Sequence, residues 1–153
     1  MNHQRRHLAF ALATGALLGP TLAAADPALE IEVWKDPLCG CCDEWIKHLE
    51  VAGFRVQTHV GGNTEARARL GIPIGFGSCH TAQIGGYAVE GHVPVREIRR
   101  LLKERPPAVG LAVPAMPRGS PGMDGAKFEG KRDPYDVLLV ARDGSAGVFQ
   151  SYR

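Results

Sequence analysis

Polar and apolar residues alternate along Glu30-Ile31-Glu32-Val33-Trp34, the pattern of a strand with one buried face. Asp36-Pro37-Leu38 is a turn. From Gly40 the period changes: Trp45, Leu49 and Ala52 recur at helical spacing, with Asp43, Glu44, Lys47 and Glu50 on the outer positions. Gly53 supplies a helix stop. Phe54 to Val60 predicts a second strand, and Asn63 or Thr64 caps a short helix carrying Ala66 and Leu70, closed by Gly71 and Pro73. Thr81–Ile84 and Tyr87–Glu90 flank Gly85-Gly86, a hairpin signal. Pro94 opens a helix with Val95, Ile98, Leu101 and Leu102 on one side, ended by Arg105-Pro106-Pro107. A second hairpin is predicted from Tyr135–Val140 and Gly147–Phe149 around Asp143-Gly144. Between them, residues 105–135 hold six prolines and five glycines with no period, and read as one long functional or disordered loop.

The order strand, helix, strand, helix, hairpin, helix predicts an α/β, thioredoxin-like fold: a central mixed sheet with flanking helices and a long Pro/Gly-rich loop. The cysteines fall where such a fold places its chemistry. Cys39-Gly40-Cys41-Cys42 stands at the start of the first helix, and Cys79-His80-Thr81 stands in the loop facing it. Thioredoxins close that loop with a cis-proline; His80 takes the matching position here, which argues against general thiol–disulfide exchange.

Residues 1–25 combine Arg5 and Arg6, an apolar run from Leu8 to Leu18 and Ala23-Ala24-Ala25, the layout of a secretory signal peptide. The twin arginines leave the Sec and twin-arginine routes open. A retained anchor is the alternative, disfavoured by the Ala, Gly and Pro content. Cleavage leaves residues 26–153 as a single domain of 128 residues with no stable membrane insertion. It also leaves sixteen basic against sixteen acidic residues, so the +2 of the whole chain belongs to the leader. A neutral mature chain lacks the sustained basic surface that nucleic acid requires.

Three cysteines within four residues close almost no loop, so as disulfide staples they are poorly placed. At a helix N-terminus the unpaired N–H groups and the dipole favour thiolate, which suits both redox chemistry and metal binding. Zinc sites made of four cysteines usually come as two separated pairs. Crowded sulfurs favour Cu(I) or Ag(I), over Zn(II), and allow bridged, multinuclear clusters. The competing reading is a Cys39–Cys42 disulfide with Cys41 as spectator, a thioredoxin-like thiol–disulfide oxidoreductase. His80 is a further candidate ligand, and the loop methionines Met116 and Met123 offer thioethers. His92 is expected to shape the start of the third helix, His48 and His59 to lie at the surface, and Trp34 and Trp45 to lie in the core.

Taken together, Trp34 to Cys42, Ser78-Cys79-His80-Thr81, Gly85-Gly86-Tyr87, Glu90-Gly91-His92-Val93-Pro94, Gly110 to Pro114, Gly119 to Met123 and Tyr135-Asp136-Val137 resemble the CopG-type exported metal-binding proteins of bacterial copper and silver resistance operons. The resemblance runs from Ile31 to Tyr152. It implies a periplasmic protein binding several Cu(I) ions through Cys39, Cys41, Cys42 and Cys79. A role in converting Cu(I) to Cu(II), or in handing the ion to periplasmic components of an efflux system, is also implied.

Overall fold

The computed structural model describes residues 29–153; the signal peptide expected at residues 1–25 lies outside them. Strands β1 (Glu30–Lys35), β2 (Arg55–Val60), β3 (His80–Ile84), β4 (Tyr87–Glu90), β5 (Gly110–Ala112), β6 (Tyr135–Val140) and β7 (Ala146–Tyr152) form one sheet in the order β2-β1-β3-β4-β5-β6-β7. Helix α1 (Gly40–Val51) makes the crossover between parallel β1 and β2. Helix α2 (Thr64–Arg69) precedes β3, and α3 (Val95–Glu104) crosses from β4 to parallel β5. The first four strands and three helices follow the thioredoxin-like order expected from the sequence, and β5 to β7 extend the sheet beyond it.

Register explains the two faces. Val33, Ala82, Val89 and Leu111 are cross-strand neighbours in turn, and all four are inaccessible to solvent. Trp45 and Leu49 of α1 and Ile98 and Leu101 of α3 join the same buried cluster. Each such side chain contributes roughly 1.5–3 kcal/mol by leaving water. Ile72, Ala88, Ala112 and Val140 form a separate cluster. Because β1 strictly alternates, the residues following the Val33 row repeat its division of faces: Lys35 pairs with His80, while Trp34 pairs with Thr81, which pairs with Glu90.

Three expectations need correction. Residues 105–135 are not one irregular loop. Gly110–Ala112 is a fully buried strand, and Ala126–Phe128 makes a 3-10 turn. A three-residue strand buried on both faces has no alternation to betray it. Trp34 is half-buried rather than core: it stacks on His59 at 4.9 Å between ring centroids, with the Arg69 guanidinium 4.8 Å from its ring. The third concerns His92, whose position belongs to the site.

Candidate metal centre

The end of β1 delivers the chain to the cysteines through a side-chain-braced turn. Asp36 Oδ1 accepts the Leu38 N–H at 2.8 Å, and the Cys39 N–H donates to the Asp36 carbonyl at 3.2 Å. Cys39 then stands at the N-cap of α1, with Cys41 and Cys42 in its first turn. Lys35, almost wholly buried, donates to the Asp36 carbonyl and pairs with Asp43 at 3.1 Å, tying strand end to helix start.

Cys39 and Cys42 are joined by a disulfide, their Cα atoms 5.3 Å apart, while Cys41 and Cys79 are free. The pairing weighed as the redox reading of the motif is therefore the state described. All four sulfurs nevertheless converge: every pair lies within 4.8 Å. Cys41 Sγ is 3.5 Å from Cys39 Sγ and 3.9 Å from Cys79 Sγ. Met116 brings its sulfur to 3.9 Å from Cys41 Sγ. Met123 makes no sulfur contact with the cysteines among the described residues; its backbone closes a turn with Gly119 and Ser120.

Two imidazoles stand behind Cys79. His80, at the start of β3, is fully buried, with Nδ1 3.5 Å from Cys79 Sγ and its ring 4.2 Å from that of Trp45. Its Nε2 has no hydrogen-bond partner. His92, expected only to shape the start of α3, is fully buried with Nε2 3.1 Å from Cys79 Sγ. Its Nδ1 lies 2.7 Å from the Pro121 carbonyl oxygen, so Nδ1 carries the proton and Nε2 presents its lone pair to the sulfur. The sequence signal was present in Glu90-Gly91-His92, at the end of the hairpin that begins with His80. The neighbouring Pro94 is the stronger local signal, and it marks the start of the helix.

Burial dominates the electrostatics. It pushes the Cys79 thiol up to about 12, with the neighbouring Cys41 adding to the shift. Burial holds His80 well below the usual imidazole range, reinforced by His92, and lowers His92 against the pull of the Pro121 carbonyl. Both rings are neutral at pH 7.

The loop carrying Cys79 is braced from the opposite face. Buried Glu90 accepts from Arg67 Nε at 2.9 Å, from the Ser78 N–H at 2.6 Å and from the Thr81 hydroxyl at 2.6 Å. Burial raises the Glu90 carboxyl, and these donors oppose that rise. Arg67 also donates to the Ser78 carbonyl at 2.6 Å, and Asn63 to the same carbonyl at 3.2 Å. Gly91 makes the tight turn possible: its φ is +69°, and a β-carbon there would meet the Val113 carbonyl oxygen at 2.5 Å. None of Glu90, Arg67 and Gly91 carried a ligand-type signal, since their work is to hold Cys79 in place.

Residues 114–124 arch over this corner. The Ser78 hydroxyl donates to the Ala115 carbonyl, Met116 faces Cys41, and Pro121 orients His92. Asp124 Oδ1 accepts the Gly122 N–H at 3.0 Å and lies 3.3 Å from His48 Nε2 on α1, which is exposed as expected.

Residues 76–123 match the family described as "Protein of unknown function, DUF411". A solved structure described as "Copper resistance protein copG- Form 2" is 48% identical, covers 83% of this chain and 100% of its own, and superposes with a TM-score of 0.75. A second, "Copper resistance protein copG- Form 1", is 48% identical over 82% of this chain and 98% of its own, also at 0.75. No curated protein matches the chain.

Proposed function

Because this chain belongs to the CopG family of copper resistance proteins, we propose that it binds Cu(I), and by the same chemistry Ag(I), through Cys39, Cys41, Cys42 and Cys79. The observation that carries the reading is the convergence of all four sulfurs within 4.8 Å, with the Met116 thioether beside them. Soft sulfur donors at that spacing suit a soft monovalent ion, and thiolates that bridge allow several ions to share four sulfurs. The ion is cargo. Loading all four positions requires prior reduction of the Cys39–Cys42 bond, because the described, oxidised form offers only Cys41 and Cys79 as thiols.

The leader at residues 1–25 supports export to the periplasm and work as one domain spanning 26–153. Among the described residues no helix is long and apolar enough to cross a membrane. In that compartment a buffer that passes Cu(I) to an efflux component needs only reversible binding. An oxidase converting Cu(I) to Cu(II) needs turnover as well, with dioxygen as electron acceptor.

The deciding measurement is anaerobic Cu(I) titration of the fully reduced protein, with metal counting and thiol titration. More than one Cu(I) per chain protecting four thiols supports the proposal. A single zinc per chain, with Cu(I) protecting no thiols, overturns it. Loss of Cu(I) over many turnovers in air, abolished by Cys41→Ser, separates oxidase from buffer.

The disulfide favours a second reading, thiol–disulfide exchange at Cys39 and Cys42. That activity would survive loss of Cys41 and Cys79, and insulin reduction by the variants distinguishes it.

A further inference from the structure

The four-cysteine reading leaves His80 and His92 without a use, and both are fully buried. A thiol-to-imidazole hydrogen bond accounts for Cys79 and His92 by themselves. It does not account for His80, a second buried ring whose Nδ1 faces the same sulfur at 3.5 Å. Two imidazole nitrogens and a thiol sulfur that converge at one buried point form a ready set of neutral donors.

The spacing is near that of ligands around one ion, and the donor types select its class. Donors around one tetrahedral ion with metal–sulfur and metal–nitrogen bonds of about 2.3 and 2.0–2.1 Å sit roughly 3.3–3.8 Å apart. Cys79 Sγ lies 3.5 Å from His80 Nδ1, inside that range, and 3.1 Å from His92 Nε2, which a shift of a few tenths of an ångström brings into it; the three ligand atoms are all within 4.8 Å. Cys41 Sγ, 3.9 Å from Cys79 Sγ, stands beside them as a fourth donor. The Pro121 carbonyl fixes the His92 tautomer with Nε2 as the free lone pair, the outer-shell arrangement that metal-bound histidines use. Two nitrogens with one or two thiolates form a donor set for a borderline divalent ion. Neither Cys39 nor Cys42 takes part, so the pocket is complete while their disulfide is closed.

We infer that Cys79, His92 and His80 form a sulfur–nitrogen pocket that binds one borderline divalent transition ion, of the Zn(II) class, in the disulfide form of the protein. The ion replaces the thiol proton of Cys79, which passes to solvent; no electron moves. The inference rests on reading this corner of the fold as a metal site, but it does not depend on the four-cysteine cluster. Cys79 belongs to both sets, so the oxidised chain holds a divalent ion at the inner end of a site whose outer end opens to Cu(I) on reduction.

The test uses disulfide-intact protein under anaerobic conditions, with Co(II) as the spectroscopic probe and Zn(II) as competitor. The expected result is one Co(II) per chain, with tetrahedral ligand-field bands and thiolate-to-metal charge transfer displaced by Zn(II). Cys79→Ser weakens the charge-transfer band to no more than a single Cys41 thiolate supplies, and His92→Gln weakens binding at least tenfold. A second measurement needs no variant: on adding Zn(II) to wild-type protein labelled with 15N-histidine, the His92 Nε2 resonance shifts while its Nδ1–H is retained. An unmoved imidazole resonance, or unchanged Co(II) affinity in folded His92→Gln, overturns the inference. Cu(I) titration of the reduced wild type runs in parallel. Cu(I) uptake without Co(II) binding removes this pocket and leaves the four-cysteine reading standing; Co(II) binding without Cu(I) uptake does the reverse.

Discussion

Gly122 rests directly on the backbone of Cys41. A β-carbon at Gly122 would lie 2.5 Å from the Cys41 carbonyl oxygen and 2.8 Å from the Trp45 nitrogen, and its φ of +86° disfavours any side chain. The arch over the sulfurs is thus seated on the first turn of α1 by the absence of one methyl group. Gly122→Ala is expected to destabilise the protein by about 1–3 kcal/mol through strain and displaced backbone. It should also weaken Cu(I) binding, because Met116 and the Pro121 carbonyl ride on the same segment. Urea unfolding and a Cu(I) chelator competition check both parts. Wild-type values in the two assays would mean the arch seats itself some other way.

Arg67→Met leaves Glu90 buried against two neutral donors with no cation. Removing one partner of a buried pair costs about 3–5 kcal/mol. The double variant Arg67→Met/Glu90→Gln should recover part of that loss, since no uncompensated charge remains. Denaturant midpoints of the three variants read this out. Equal destabilisation by the single and double variants would show that shape, and not charge, holds the Cys79 loop.

The free sulfur inside the motif is expected to matter for ions and not for exchange. Cys41→Ser should lower Cu(I) capacity of the reduced protein by at least one ion per chain. It should leave the Cys39–Cys42 couple able to form and break its bond. Metal counting and denatured thiol titration, which finds two thiols in oxidised wild type and one in the oxidised variant, test the two halves separately.

Acidity should weaken two properties in the same direction, ion binding at Cys79 and the fold that holds His80 and His92. Because Cys79 is a thiol up to about 12, an ion that binds it displaces a proton. Its apparent affinity then gains about tenfold per pH unit for that proton over the neutral range. The metal-free fold responds through other groups. His80 and His92 have lowered pKa values, so on acidification below about 6.5 the unfolded chain takes up protons that the folded chain refuses. Stability therefore falls as pH drops through that window, with a limiting slope of about 1.4 kcal/mol per pH unit for each histidine. Glu90, whose pKa is raised, contributes the opposite slope at lower pH. Unfolding at pH 7.5 and 5.5 in wild type and His92→Gln isolates the histidine share; equal slopes would contradict it.

Much of this architecture was legible because its elements are amphipathic in sequence. Ile31 and Val33 alternate with glutamates, Trp45 and Leu49 repeat at helical spacing, and Gly85-Gly86 separates two apolar runs; each appears where expected. β5 was not legible, since three buried residues between prolines carry no period. At the site, the four cysteines and Met116 were legible as sulfur, a chemistry advertised by residue type. His92 was not, because its contact with Cys79 depends on a turn at Gly91 and on a carbonyl 29 residues away at Pro121. Neither leaves a local mark. His80 was visible as a candidate through its neighbour Cys79, but its buried, unpartnered nitrogen follows only from tertiary packing.

The shared arch has a consequence for anyone moving this chemistry to another scaffold. Copying Cys39-Gly40-Cys41-Cys42 onto the first helix of a thioredoxin transfers three sulfurs and nothing that surrounds them. The thioether, the carbonyl that sets one imidazole and the glycine that fits the helix turn all come from a single excursion between β5 and β6. A working transplant has to carry that excursion as one piece, together with the Glu90 brace beneath it; the four-residue motif by itself is a fragment.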